Sequence, residues 1–177
     1  MKQHTLHRVL IAFLLLAAPV APCFSHELQT RHATVVYQQE DQLLRFNHRI
    51  SVTSFSRHKK DARAITVSDE VRSKLDSIIE KIEVLLHVYP GDLKFNVLLT
   101  TAADVQRHYK DYYGIDNEYI AFYCRQNRTV FISVDDVNEY VLAHELTHVV
   151  IDQYFRDPPS ATMQEVLAQF VETHIEF

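Results

Sequence analysis

The sequence predicts an α+β domain built on a small mixed sheet, and three observations carry that class. Stretches with helical apolar spacing alternate with short apolar runs of strand length, without an internal repeat or a low-complexity tract. The 177 residues are 47% hydrophobic, enough for one ordinary core. The part that follows an export-type leader is about 150 residues, a length that sustains a core without disulfide staples.

The leader is read first because it is set aside from the fold. "MKQHTLHR" is a short basic region, and "VLIAFLLLAAPVA" after it is an apolar run closed by "PCFS". A membrane span needs roughly 20 apolar residues, and this run is shorter, so it reads as a secretory signal over residues 1–25 with cleavage before His26. Cys23 raises the alternative of a lipid anchor, which Pro22 directly before it disfavours. The expected location is the periplasm or the extracellular space, with no span in the mature protein. Cys124 is then the single mature thiol, and it cannot build a disulfide framework.

Residues 26–67 read as a β-hairpin and loop extension. "ATVVYQ" and "QLLRFN" are apolar runs split by polar residues, and the basic "SFSRHKKDAR" that follows reads as a solvated connection. Residues 68–177 form the main domain. A helix opens at Ser68, with Val71, Leu75, Ile78, Ile82, Leu85 and Leu86 at helical spacing and a stop at Pro90-Gly91. "KFNVLLT" is a buried strand, and "TAADVQRHYKDYYG" is a helix closed by Gly114. "EYIAFYC" and "TVFISV" are two strands joined by the polar "RQNR". "VNEYVLAHELTHVVIDQYF" and "TMQEVLAQFVETHIEF" are the last two helices, joined by "RDPPS". A net charge of −5 with no basic stripe argues against a nucleic-acid partner.

The chemistry concentrates in His144-Glu145-Leu146-Thr147-His148. Helix residues four apart share a face about one turn apart, so both imidazoles can reach one ion. Glu145 sits about 100° around the helix from His144, beside that ion. There a zinc ion lowers the pKa of a bound water, and the carboxylate takes the proton as the water attacks a carbonyl. Leu142, Leu146, Val149 and Val150 make one apolar flank of this helix; Val141, Ile151 and Phe155 share the face of the two histidines. Polar groups buried in such a helix need a partner, and a metal ion supplies one.

A catalytic zinc needs a third protein ligand and an open position. The order of candidates by spacing is Glu165, then Glu172, then His174. An antiparallel return of the last helix brings Glu165 towards the histidines. The same glutamate also completes a capping-box pattern, Thr162-Met163-Gln164-Glu165, so spacing alone divides evenly between ligand and cap. Asp152, one turn past His148, is expected to orient a histidine through its Nδ1–H. Tyr154 and His174 are candidates for stabilising an oxyanion.

"LAHELTHVV" and "EVLAQF" together resemble the gluzincin metallopeptidases of the peptidase MA-like group, whose E-x-x-A segment carries the third zinc ligand. "YIAFYCRQNRTVFIS" is similar to the paired strands that precede the motif helix in that group. The resemblance spans about Ser68 to Phe177 and is specific in the last two helices. It implies a zincin-like domain with a backing helix, an active-site helix and a C-terminal helix bearing the third ligand. Residue by residue it implies one Zn2+ per chain held by His144, His148 and Glu165, with Glu145 as general base. The substrate implied is a peptide or protein, bound by strand addition on "TVFISV" or "YIAFYC". The group often has Trp three residues before the ligand glutamate and Gly after it, where this chain has Thr162 and Val166. Little chain follows Glu165, as in the compact minigluzincins. That brevity motivates an alternative, a zinc-holding module that binds peptides or a protein partner with little turnover.

Overall fold

The computed structural model describes residues 25–52 and 66–177. The expected signal and the basic "RHKK" loop lie outside the described residues. A five-stranded mixed sheet organises the rest, in the order β1-β2-β3-β5-β4. The strands are β1 (His26–Gln29), β2 (Ala33–Tyr37), β3 (Phe95–Thr100), β4 (Ala121–Cys124) and β5 (Thr129–Ser133). β2, β3 and β5 run parallel, while β1 and β4 close the two edges as antiparallel strands. The class is α+β with a small mixed sheet, as the sequence predicts.

Five helices pack on this sheet: α1 (Glu40–Arg49), α2 (Val67–Leu86), α3 (Ala102–Tyr113), α4 (Glu139–Tyr154) and α5 (Ala161–His174). Alternation along the strands assigns them to two layers. Phe95, Val97 and Leu99 of β3, Val130 and Ile132 of β5 and Ala121 of β4 join α1, α2, α4 and α5 in the main core. The opposite faces of β3, β4 and β5, with Leu98, Phe122, Cys124 and Phe131, meet Val105, Tyr109 and Tyr112 of α3. β5 is internal, between β3 and β4, and buried at every position.

The N-terminal region corrects the expected hairpin. "QLLRFN" is not its second strand but the middle of α1, and β1 pairs with β2 instead. The run is too short for periodicity to separate strand from helix, and the ends decide. Gln39 and Gln42 form a reciprocal cap, Glu40 and Asp41 occupy the first turn, and His48 and Arg49 the last. Leu43 and Phe46 then fall on one buried stripe. β2 pairs in parallel with β3, which sews residues 33–36 into the same sheet as the later strands.

α2 begins one residue before the expected Ser68, because Thr66 is the cap and exchanges hydrogen bonds with Asp69. It ends at Leu86 rather than at Pro90, with His87 in the left-handed region at φ 53°. It buries Val71, Leu75, Ile78, Ile79 and Ile82 and packs against α4. α3 stops at Gly114, whose φ of 70° lets the chain reverse as a left-handed cap. No helix among the described residues is long and apolar enough to cross a membrane.

Candidate metal centre

α4 holds the motif rigidly. Asn138 caps it by accepting from the Tyr140 and Val141 N–H groups, and Leu142, Ala143, Leu146, Thr147, Val149, Val150 and Ile151 are buried. Thr147 satisfies its buried hydroxyl on the Ala143 carbonyl at 2.7 Å. What remains of the helix surface presents His144, Glu145 and His148 on a partly buried face, with the two imidazoles 19% and 13% exposed.

α5 returns against α4 and brings Glu165 to the histidines. Its cap is Ser160, which accepts from the Met163 N–H, so the helix starts before Thr162. The capping-box reading of Glu165 therefore fails, and its carboxylate is free to reach across. One Glu165 oxygen lies 3.4 Å from His144 Nε2 and the other 3.4 Å from His148 Nε2. The donor atoms of the three residues all fall within 4.8 Å of one another, so the group could hold a metal ion. Nitrogen and oxygen ligands about 2.0–2.2 Å from a tetrahedral ion sit about 3.4 Å apart, which is the spacing observed between carboxylate and imidazoles.

The tautomers point the same way. His144 Nδ1 is 2.9 Å from Glu172 Oε2, an acceptor-only carboxylate when ionised. The ring proton belongs on Nδ1, which leaves an Nε2 lone pair facing the Glu165 oxygen. Two acceptors at that distance repel unless a metal ion or a proton lies between them. His148, by contrast, is held below its ordinary pKa by burial and by His144, against the upward pulls of Glu165 and the Gln164 side chain. Burial thus favours neutral His148, the state in which an imidazole nitrogen can donate to a metal.

Glu145 is placed by the sheet edge. Its Oε2 accepts from the Tyr123 N–H of β4 at 2.8 Å. Burial pushes its carboxyl up to about 7, with Glu165 and Glu172 adding to the rise and His144 and the Tyr123 N–H opposing it. A group with that affinity can both accept and return a proton near neutrality. β4 is fixed in turn by Asp152, which accepts from the Tyr123 hydroxyl at 2.9 Å and pairs with Arg125 at 2.5 Å.

Several expectations change. Glu172 lies 2.9 Å from His144 Nδ1, outside the His144, His148 and Glu165 group, in the orienting position expected of Asp152. Asp152 serves β4 instead, because the helix carries it past the ring. His174 lies nine residues, about 13 Å of helix, beyond Glu165. Its ring stacks on Phe170 and its Nδ1 is 2.8 Å from the Phe170 carbonyl oxygen. Tyr154 is exposed at the end of α4, its ring against Phe155. Of the two strands considered for peptide pairing, β5 is internal and β4 lies at an edge of the sheet among the described residues. The roles of Tyr123 and Gln164 were not read from the sequence. Alternation in "AFYC", with Ala121 and Tyr123 on the α4 side, is the signal that could have found the first.

No family model, curated protein or solved structure matches this chain.

Proposed function

We propose that this chain is an exported zinc-dependent metallopeptidase of the gluzincin type, with a compact zincin-like domain over residues 68–177. The observation that carries the reading is the pair of 3.4 Å approaches from the Glu165 carboxylate to the Nε2 atoms of His144 and His148. Neutral nitrogens plus one carboxylate suit zinc, and three protein ligands leave a position for substrate. When bound there, zinc acidifies a coordinated water and polarises a carbonyl.

The chain's own groups supply the rest. Glu145 accepts the proton released at nucleophilic attack and returns it to the leaving amine, which its raised proton affinity suits. Glu172 holds His144 in the tautomer that donates from Nε2. The register of β4 with β5 turns the N–H and C=O groups of Ala121 and Tyr123 away from β5, and because those of Tyr123 already meet Glu145 and the Tyr113 hydroxyl, the Ala121 groups are the ones left to pair. An extended peptide can therefore pair there by strand addition, close to Glu145.

Peptide hydrolysis by the purified, zinc-loaded chain and by Glu145→Gln tests the reading. The expected loss is about 10²–10⁴-fold in kcat with zinc content retained. Hydrolysis by Glu145→Gln at the wild-type rate would rule out the assigned mechanism. Bound zinc without cleavage of a broad peptide library by wild type would favour the binding module over the peptidase.

A further inference from the structure

Beside the edge strand β4 the molecule exposes an aromatic surface that the zinc site does not use. Tyr113, Ile115, Tyr119 and Ile120 are 42%, 49%, 38% and 37% exposed, an unusual density of large apolar side chains for eight residues. Their arrangement is built. Tyr109 stands between Tyr119 and Tyr113, with ring centroids at 4.2 and 4.8 Å, and its ring meets Phe122 of β4 edge-on at 5.1 Å. Tyr113 reaches over the strand, its hydroxyl 3.5 Å from the Tyr123 carbonyl oxygen. The N–H of that same Tyr123 holds Glu145. The tyrosine cluster is therefore continuous with the candidate site, one peptide unit from the base.

Two properties say what this surface accepts. Its rings are preplaced by tilted and edge-on packing on one another and on Phe122, so little side-chain freedom is lost when a ligand packs against them. Its phenol rings carry no charge: Tyr109 is pushed up to about 12, first by the Tyr119 phenol and burial and then by the carboxylates of Glu145 and Glu165. Those carboxylates, with Glu172, make the adjoining site unwelcoming to acidic side chains. A neutral aromatic wall beside a carboxylate-rich site selects a flat or bulky apolar group.

We propose that Tyr109, Tyr113 and Tyr119 form a specificity subsite that receives an aromatic side chain of the substrate peptide next to the cleaved bond. A peptide paired with Ala121 on the β4 edge passes Tyr119 within two residues, since β4 begins there. This rests on the peptidase reading above, and the test separates the two.

The zinc-loaded chain is assayed on paired peptides that differ by Phe, Ala or Glu at each position flanking the bond. At one of those positions wild type is expected to favour Phe over Ala by about 10-fold or more in kcat/KM, with Glu poorest. In Tyr119→Ala the Phe/Ala ratio is expected to fall below about threefold, while Tyr89→Ala, on an exposed loop after α2, keeps the wild-type ratio. A wild type indifferent to Phe and Ala everywhere, or a Tyr119→Ala variant that keeps the preference, overturns the subsite. If nothing is cleaved, the peptidase reading fails and the same Phe and Ala peptides are titrated calorimetrically. Tighter binding of the Phe peptide, lost in Tyr119→Ala, then upholds the aromatic subsite, and equal binding overturns it.

Discussion

The two helices that meet at the candidate metal centre are held in opposite ways. α4 buries seven of its residues, and its imidazoles lie on a partly buried face. α5 buries only Ala168 and Val171, while Met163, Val166 and Phe170 are 49%, 53% and 41% exposed and Glu165 itself is 55% exposed. The histidine pair is thus set by the core, whereas the carboxylate comes from a helix that packs on α4 yet leaves most of its own side chains exposed. The difference teaches a division of labour: packing on α4 fixes the two histidines of the candidate site, and α5 supplies the Glu165 and Glu172 carboxylates that face them.

That contrast can be broken at the level of stability first. Leu146→Ala, in the fully buried side of α4, is expected to cost about 3 kcal/mol in chemical denaturation. Val166→Ala, on the open side of α5, is expected to stay within about 0.5 kcal/mol. Similar losses for both would mean that α5 is as firmly embedded as α4. A smaller effect sharpens the link between the helices. Glu172→Gln keeps the shape but weakens the acceptor at His144 Nδ1, and it is expected to reduce zinc affinity about 10–100-fold in competition with a chelator. Unchanged affinity would remove Glu172 from the site.

The smallest effect concerns pH in the metal-free protein. Glu145 has its folded pKa raised to about 7, so folding favours its neutral form. The stability this provides is present below the unfolded value of about 4.3 and is lost as pH rises through the folded value. Metal-free Glu145→Gln carries no such penalty. Its melting temperature is expected to gain on wild type by a few degrees between about pH 4.5 and pH 8. A gap that stays constant across that range would show that Glu145 is not desolvated.

Much of this was legible in the sequence for identifiable reasons. HELTH in an apolar helix and Glu165 after a proline-rich reversal encode their meeting through helix periodicity and a short connection, both local properties. Gly114 and the β4–β5 hairpin were equally local. α1 was not legible, since "QLLRFN" suits strand or helix and only its caps decide. The cap at Ser160, which frees Glu165, was hidden by the competing pattern at Thr162. The exchange of roles between Asp152 and Glu172 depends on where two helices cross, and no spacing within one helix reports that. The tyrosine cluster is non-local in the same sense, joining α3 to the segment before β4.

The central claim is that His144 and His148 on α4 share one zinc ion with Glu165 on α5. Zinc titration of the purified chain, wild type beside Glu165→Ala, tests it most directly. One zinc per wild-type chain is expected, with the variant weakened by a factor of 100 or more, about 3 kcal/mol. Full stoichiometry at wild-type affinity in Glu165→Ala, or no zinc bound by wild type, would contradict it.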